Sequence, residues 1–358
     1  MRGVKERNSS FELLRIISMI MITIHHLSLA VGIRDSNLYI RMWGQFFCIG
    51  GKLGVNCFVL ISAYFLCTSS FRMERVLKTH SKVLLYGFIG LGIGIVFMRE
   101  NLTIIAILKS FFPVIFNHYW FVTTYIGMIL LSPILNMFLR CIDKQKHEIV
   151  IVILLFLFSI IPTFTAQNTF NSDLGWFVFL YIVAAYIKKY NFKWKSFLSR
   201  GYICPIIWIL IYLASVVFTI GEHWIPALKE GTNFFSGMVV FPQFLNSLSL
   251  FLYFEKKETK SKIVDFFGRH SFACYLIQSN CFIYMLRIQL TEYVFSKSLV
   301  YLYPIVMLLM SCSIFLFCAI ADVPVQSFLD CSIVKKIQLK IERIANNSFY
   351  GLVNLCFK

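Results

Sequence analysis

Two residue types that do chemistry, an arginine and a histidine, sit in the first apolar run of this chain. Arg15 and His26 both fall within residues 11–33, a stretch greasy enough to cross a bilayer. Eleven steps at ~100° come to about 20° past three full turns, so the two side chains share one helix face. At ~1.5 Å per residue they lie roughly 16 Å apart along it. Charge is costly in hydrocarbon, and ionisable residues there face a protein interior or a wet cavity. A fixed guanidinium with a titratable imidazole further along describes a site that grips an anion at one end and does chemistry at the other. Glu12, three residues before Arg15, is placed to pair with it, whereas His25 points roughly 100° away from His26.

The next apolar run, 47–67, also carries polar groups. Lys52, Asn56, Ser62 and Tyr64 are candidates for lining the same cavity. Gly51-Lys52 is not a phosphate-binding loop, because Leu53 stands where Ser or Thr is needed and no strand precedes it. Gly50, Gly51 and Gly54 instead permit close helix approach. The 11 cysteines include no CxxC and sit mostly in apolar runs, so neither a disulfide framework nor a metal site is expected. His118 stands at the outer end of a later run, Glu222 and His223 in an outer loop. His80, His147 and His270 read as solvated, and Asp173 and Asp322 as charges at span ends.

The elements that must hold these residues follow from composition. Of 358 residues, 58% are hydrophobic, 17% aromatic and only 14% charged, with mean hydropathy +0.74. That excludes a soluble globular domain and predicts an all-α polytopic membrane protein. Apolar runs at 11–33, 47–67, 81–98, 119–139, 149–164, 174–187, 203–220, 234–254, 271–290 and 299–320 read as ten transmembrane helices in one domain over residues 1–358. The first reads as a span rather than a cleaved leader, since it is too long and lacks a small-residue cleavage site. Residues 102–116, interrupted by Lys109 and Pro113, read as an interfacial or re-entrant helix.

The net charge of +17 is explained by orientation in the membrane rather than by nucleic acid. With the N-terminus in the cytoplasm, inside segments hold clusters such as Arg72, Arg75, Lys78 and Lys82, or Lys188, Lys189, Lys193, Lys195 and Arg200. Outside segments hold only Arg34, Arg41, Arg99, Lys109, Lys229 and Lys297. This alternation predicts both termini in the cytoplasm, Arg15 near that side and His26 past the middle toward the outside.

The pattern Glu12-Leu13-Leu14-Arg15, ten residues, then His26 resembles the opening helix of the integral-membrane acyltransferase-3 family. Gly54-Val55-Asn56-Cys57-Phe58-Val59-Leu60-Ile61-Ser62-Ala63-Tyr64 resembles its second helix, and Arg72 with Arg75 its basic cytoplasmic loop. His118-Tyr119-Trp120-Phe121-Val122, Tyr125 and Leu131-Ser132-Pro133 resemble its Trp-Phe helix, and Ser271 through Ile277 its late Ser-x-x-x-Tyr-Leu-Ile motif. The chain departs from the pattern in three places. Ala63 replaces a usual Gly, Gln278 stands where a His commonly follows Tyr-Leu-Ile, and the basic loop lacks its closing Pro. No extracellular hydrolase-like domain is expected after the tenth span.

The resemblance implies an O-acetyltransferase of the bacterial inner membrane. It would carry an acyl group, usually acetyl, from cytoplasmic acyl-CoA to a hydroxyl of a surface polysaccharide, such as a capsule, or of its lipid-linked precursor. His26 would be the essential residue and Arg15 its partner. The phosphates of acetyl-CoA, a substrate and not a resident cofactor, would meet Arg15, Arg72, Arg75 and Lys78. His26 would act as general base or as an acyl relay, and Lys52, Asn56, Ser62, Tyr64, Trp120 and Tyr125 are the candidates for holding substrate or the oxyanion. Two other classes remain open on composition. One is a transporter or flippase of lipid-linked sugars, against which stands the lack of paired halves or matched broken helices. The other is a structural subunit of an envelope complex, with Arg15 and Lys52 paired to a partner.

Overall fold

The computed structural model describes residues 8–32, 36–332 and 334–344, except the side chains of Asn101, Pro226 and Glu230. Arg2, Lys5, Arg7, Arg34 and Lys358, part of the charge pattern, lie outside the described residues. The described chain is all helix, with no strand among the described residues. In order come α1 (Ser9–Ala30), α2 (Leu38–Leu66), α3 (Met73–Phe97), α4 (Ile104–Phe111), α5 (Trp120–Cys141), α6 (Lys144–Leu155), α7 (Ile161–Thr165) and α8 (Asp173–Lys189). Then follow α9 (Lys195–Leu198), α10 (Ile203–Gly221), α11 (Phe241–Glu255), α12 (Lys262–Gln278), α13 (Cys281–Lys297) and α14 (Tyr303–Leu329). A π-helical turn at Phe156–Ile160 joins α6 to α7, so Lys144–Thr165 is one apolar rod.

Among the described residues, eight helical segments are long and apolar enough to cross a membrane: α1, α2, α3, α5, α6–α7, α10, the stretch Ala227–Glu255 that ends in α11, and Val300–Leu329 with α14. The protein is therefore a multi-pass membrane protein. Helices α8, α12 and α13 have 17 residues each, at the lower limit for a span.

Lipid offers no hydrophobic drive for helices to associate, so close packing and buried hydrogen bonds must position the site. The start of α1 is tied down first. Asn8 caps it by accepting from the Ser10 N–H at 2.9 Å. Ser9 Oγ meets Asp265 Oδ1 at 2.7 Å, and the Ser9 N–H donates to Thr259 O at 3.0 Å. These bonds anchor α1 to the segment entering α12 and so set the depth of Arg15. From there α1 packs most extensively against α2, then against α12.

Helix α2 begins at Leu38, not at 47 where hydropathy rises, with Asn37 accepting from the Ile40 N–H at 3.0 Å. Its first turns carry polar side chains with distant partners. Gln45 donates to Thr219 Oγ1 at 2.6 Å, and Arg41 clamps Glu222 through both guanidinium nitrogens. Glu222 is thus committed to α2, while His223 is exposed.

The expected ninth span, 271–290, is instead broken. Helix α12 stops at Gln278 and α13 starts at Cys281. Asn280 accounts for the break. Its Oδ1 accepts from the Phe282 N–H at 3.2 Å, capping α13, while its Nδ2 donates to Tyr119 Oη at 3.1 Å and Tyr86 O at 3.4 Å. Gly90 on α3 makes room, since a Cβ there would lie 2.1 Å from the Asn280 amide.

Three expectations about charge are also corrected. His270, read as solvated, and Asp322, read as a charge at a span end, are both buried. Asp322 on α14 accepts from Lys82 Nζ and from Tyr86 Oη of α3, each at 2.7 Å, and meets His270 Nδ1 of α12 at 2.7 Å. One carboxylate thus ties three helices together. His147 is buried as well, its Nε2 3.0 Å from Ile182 O.

Candidate active site

Arg15 and His26 occupy one face of α1, and each lines a cavity. The first, of about 260 Å³, holds Glu12, Arg15, Ser62, Tyr125, Arg269 and Ser271 on its walls. Arg15 Nη1 bonds Glu12 Oε1 at 2.7 Å, the pairing expected from their spacing. The second, of about 50 Å³, is lined by His25, His26, Lys52, Trp120 and Tyr275. Phe58, Phe121 and Phe272 line both cavities. The two chambers thus meet at a phenylalanine partition contributed by α2, α5 and α12. Three phenyl groups can shift by side-chain rotation without unwinding a helix.

Lys52 Nζ stands 5.0 Å from the Trp120 ring centroid, so a cation and an indole share one wall of the His26 cavity. His25 lines this cavity too, instead of pointing away. The two imidazole centroids are 5.5 Å apart. Gly51 makes this possible, because a Cβ there would fall 2.4 Å from His25 Cγ. Gly51→Ala is expected to displace the imidazole and to cost about 1–3 kcal/mol of stability. A thermal melt of the detergent-solubilised protein checks this, and an unchanged midpoint would show that the helices yield freely.

The other residues singled out from the sequence divide between places. Ser62 and Tyr125 lie with Arg15, not with His26. Asn56 lines neither cavity. Its amide donates to Met238 O at 3.0 Å and Ser247 Oγ at 3.2 Å and accepts from Trp176 Nε1 at 2.9 Å, joining α2, α8 and α11. Tyr64 also faces elsewhere. Its hydroxyl meets Glu255 at 3.3 Å and Lys188 lies 4.4 Å over its ring. Of the basic loop, Arg72 and Lys78 pair with Glu74 at 3.7 and 2.6 Å, and Arg75 donates to Ser69 Oγ at 2.8 Å. None of these three lines the Arg15 cavity, but Thr79 one turn on does. Lys78 and Lys82 line an adjoining cavity of about 240 Å³ that shares Thr79 and Phe272 with it.

The family model of an acyltransferase domain, acyltransferase-3, matches residues 8–323. The chain belongs to the acyltransferase-3 family. The match runs from the cap of α1 past Asp322 and takes in both chambers of this membrane acyltransferase. No curated protein and no solved structure gives a significant match.

Several residues of the two chambers escaped the sequence reading. Arg269 adds a second guanidinium to the Arg15 cavity, and Tyr275 adds a phenol to the His26 cavity. Arg269 looked like a span-edge cation, and Tyr275 was legible only as part of a motif. Gln278 of α12 donates to Thr23 Oγ1 of α1 at 3.0 Å, and the buried Arg287 stands behind it, Nη1 3.3 Å from Gln278 Oε1. A glutamine in an apolar run carries no signal of that kind.

Proposed function

We propose that this acyltransferase moves a small acyl group, acetyl, from cytoplasmic acyl-CoA to a hydroxyl of a bacterial surface polysaccharide or its lipid-linked precursor. The observation that carries the reading is the pair of chambers, one with guanidinium groups and one with an imidazole, abutting at Phe58, Phe121 and Phe272. In this reading the chain crosses the inner membrane ten times with both termini in the cytoplasm. The crossings beyond the eight long apolar segments are α8 and the broken pair α12–α13. Arg15 then faces the inner leaflet, where the positive-inside pattern puts it.

The CoA phosphates meet Arg15 and Arg269 as charge-assisted pairs, with Lys78 and Lys82 nearby. The pantetheine arm spans roughly the 16 Å between Arg15 and His26 and passes the phenylalanine partition. Its thioester reaches the imidazole chamber, lined by His26, Lys52, Trp120 and Tyr275, where a small acyl group such as acetyl lies beside the ring. His26 takes the proton from the acceptor hydroxyl as that oxygen attacks the thioester carbonyl. The tetrahedral intermediate collapses, the C–S bond breaks, and the imidazolium returns its proton to the departing thiolate. Lys52, Trp120 and Tyr275, which line this chamber, serve as the donors to the oxyanion. In the relay variant, His26 first carries the acetyl group itself.

Mass spectrometry of surface glycan from cells with and without the gene tests the proposal. An acetyl increment that disappears with the gene supports it, and identical spectra contradict it. At the donor end, Arg15→Gln is expected to raise KM for acetyl-CoA about 10- to 100-fold, the worth of one charge-assisted phosphate pair. A steady-state titration of acetyl-CoA checks this, and an unchanged KM would remove Arg15 from the donor site.

A further inference from the structure

Beyond α14 the chain is helical again over residues 334–344, outside the stretch that the family model matches. The turn between the two helices is pinned. Asp330 accepts from Gln326 Nε2 at 2.9 Å and pairs with Lys335 Nζ at 3.1 Å. Further on, Gln338 still lines the cavity of Leu329, Lys78 and Lys82. The segment therefore lies back against the bundle, close to where the apolar rod of α14 ends, instead of projecting away from it.

Its side chains sort into stripes. At ~100° per residue, Val334, Gln338 and Glu342 share one face, and all three are half-buried. About a quarter-turn round stand Ile337, Ile341 and Ile344, exposed by 54%, 46% and 59%. About another quarter-turn on come Lys336, Lys340 and Arg343, all exposed. Leu339 lies on the remaining face. The helix thus rests on the bundle by one stripe and leaves an apolar stripe open with a basic stripe beside it.

That order has a physical reading at the end of a membrane-crossing helix. An apolar stripe beside cations suits a helix lying in the plane of the bilayer surface. The isoleucines then enter the acyl boundary, and the cations sit at headgroup level, where negative charge attracts them. We propose that residues 334–344 dock on the anionic lipid surface of the membrane, with Ile337, Ile341 and Ile344 inserted and Lys336, Lys340 and Arg343 against the charged headgroups. In the ten-span reading this surface is the inner leaflet. The docking itself needs neither that orientation nor acyl transfer.

Hydrogen–deuterium exchange of the full chain tests this, in nanodiscs holding one copy each and without substrate. One set contains phosphatidylcholine alone, and the other adds phosphatidylglycerol. The amides of 334–344 are expected to exchange about 10- to 100-fold more slowly in the anionic discs, three cations at about fivefold each setting the upper end. The amides of α14 serve as the reference and should not change. Lys336→Gln, Lys340→Gln and Arg343→Gln together should abolish the difference between the discs. Ile337→Ser with Ile341→Ser should raise exchange in the anionic discs to the neutral-disc rate. Equal protection in both lipids would mean that the segment is held by the bundle or by any bilayer, and would overturn the inference. Protection that requires two chains per disc would make a second copy the occupant and overturn it as well. So would a lipid difference that survives the loss of the three cations.

Discussion

His26→Ala is expected to reduce acetyl transfer by about 100- to 10,000-fold, the range for removing a positioned general base. The loss should appear in kcat, with acetyl-CoA binding retained, because the guanidinium groups of the donor chamber are untouched. His25 makes the matching control. It lines the same cavity, but its ring is packed closely against Gly51 of α2, so His25→Ala should perturb packing more than chemistry. An assay of purified protein in nanodiscs, with acetyl-CoA consumption measured against acceptor acetylation, separates the two. Near-normal turnover in His26→Ala would end the assignment of that ring as base or relay.

Asp322→Ala is expected to produce the largest loss of stability, about 3–5 kcal/mol, the cost of removing one member of a buried ion pair. Asp322 is fully enclosed, and its two oxygens serve Lys82, Tyr86 and His270 from two other helices. Without the carboxylate, a mostly buried ammonium and a phenol lose their acceptor. The melting midpoint in detergent should fall strongly, and the protein yield with it. His270→Ala removes only one of the three partners and should cost less. A midpoint unmoved by Asp322→Ala would mean that Lys82 finds another partner, for which its side of the cavity offers Asp330.

Much of this architecture is legible in the sequence because lipid imposes one simple requirement, a long apolar helix for each crossing. The common face of Arg15 and His26 follows from helical period alone, and their two chambers lie where that face points. Legibility stops where a residue's partner is distant in the chain. Asn56 looks like a cavity residue until Trp176 and Ser247 claim its amide. Asp322 looks like a span-end charge and His270 looks solvated because nothing in their neighbourhoods announces Lys82, 240 residues from Asp322 along the chain. The Ser279–Asn280 break is invisible for another reason. Two small polar residues in an apolar run are common, and only the tyrosines and the glycine facing Asn280 turn it into a stop. The early start of α2 is hidden by Arg41 and Gln45, whose partners sit at the far end of α10.

Everything proposed for the reaction requires one substrate to occupy both chambers at once, with the phenylalanine partition opening between them. Cryo-electron microscopy of the protein with a non-transferable thioether analogue of acetyl-CoA measures this directly. The account predicts phosphates against Arg15 and Arg269, the pantetheine arm between Phe58, Phe121 and Phe272, and the thioether sulfur beside the His26 imidazole. An analogue bound elsewhere, or one whose arm leaves the Arg15 chamber by another route with the partition shut, would contradict it.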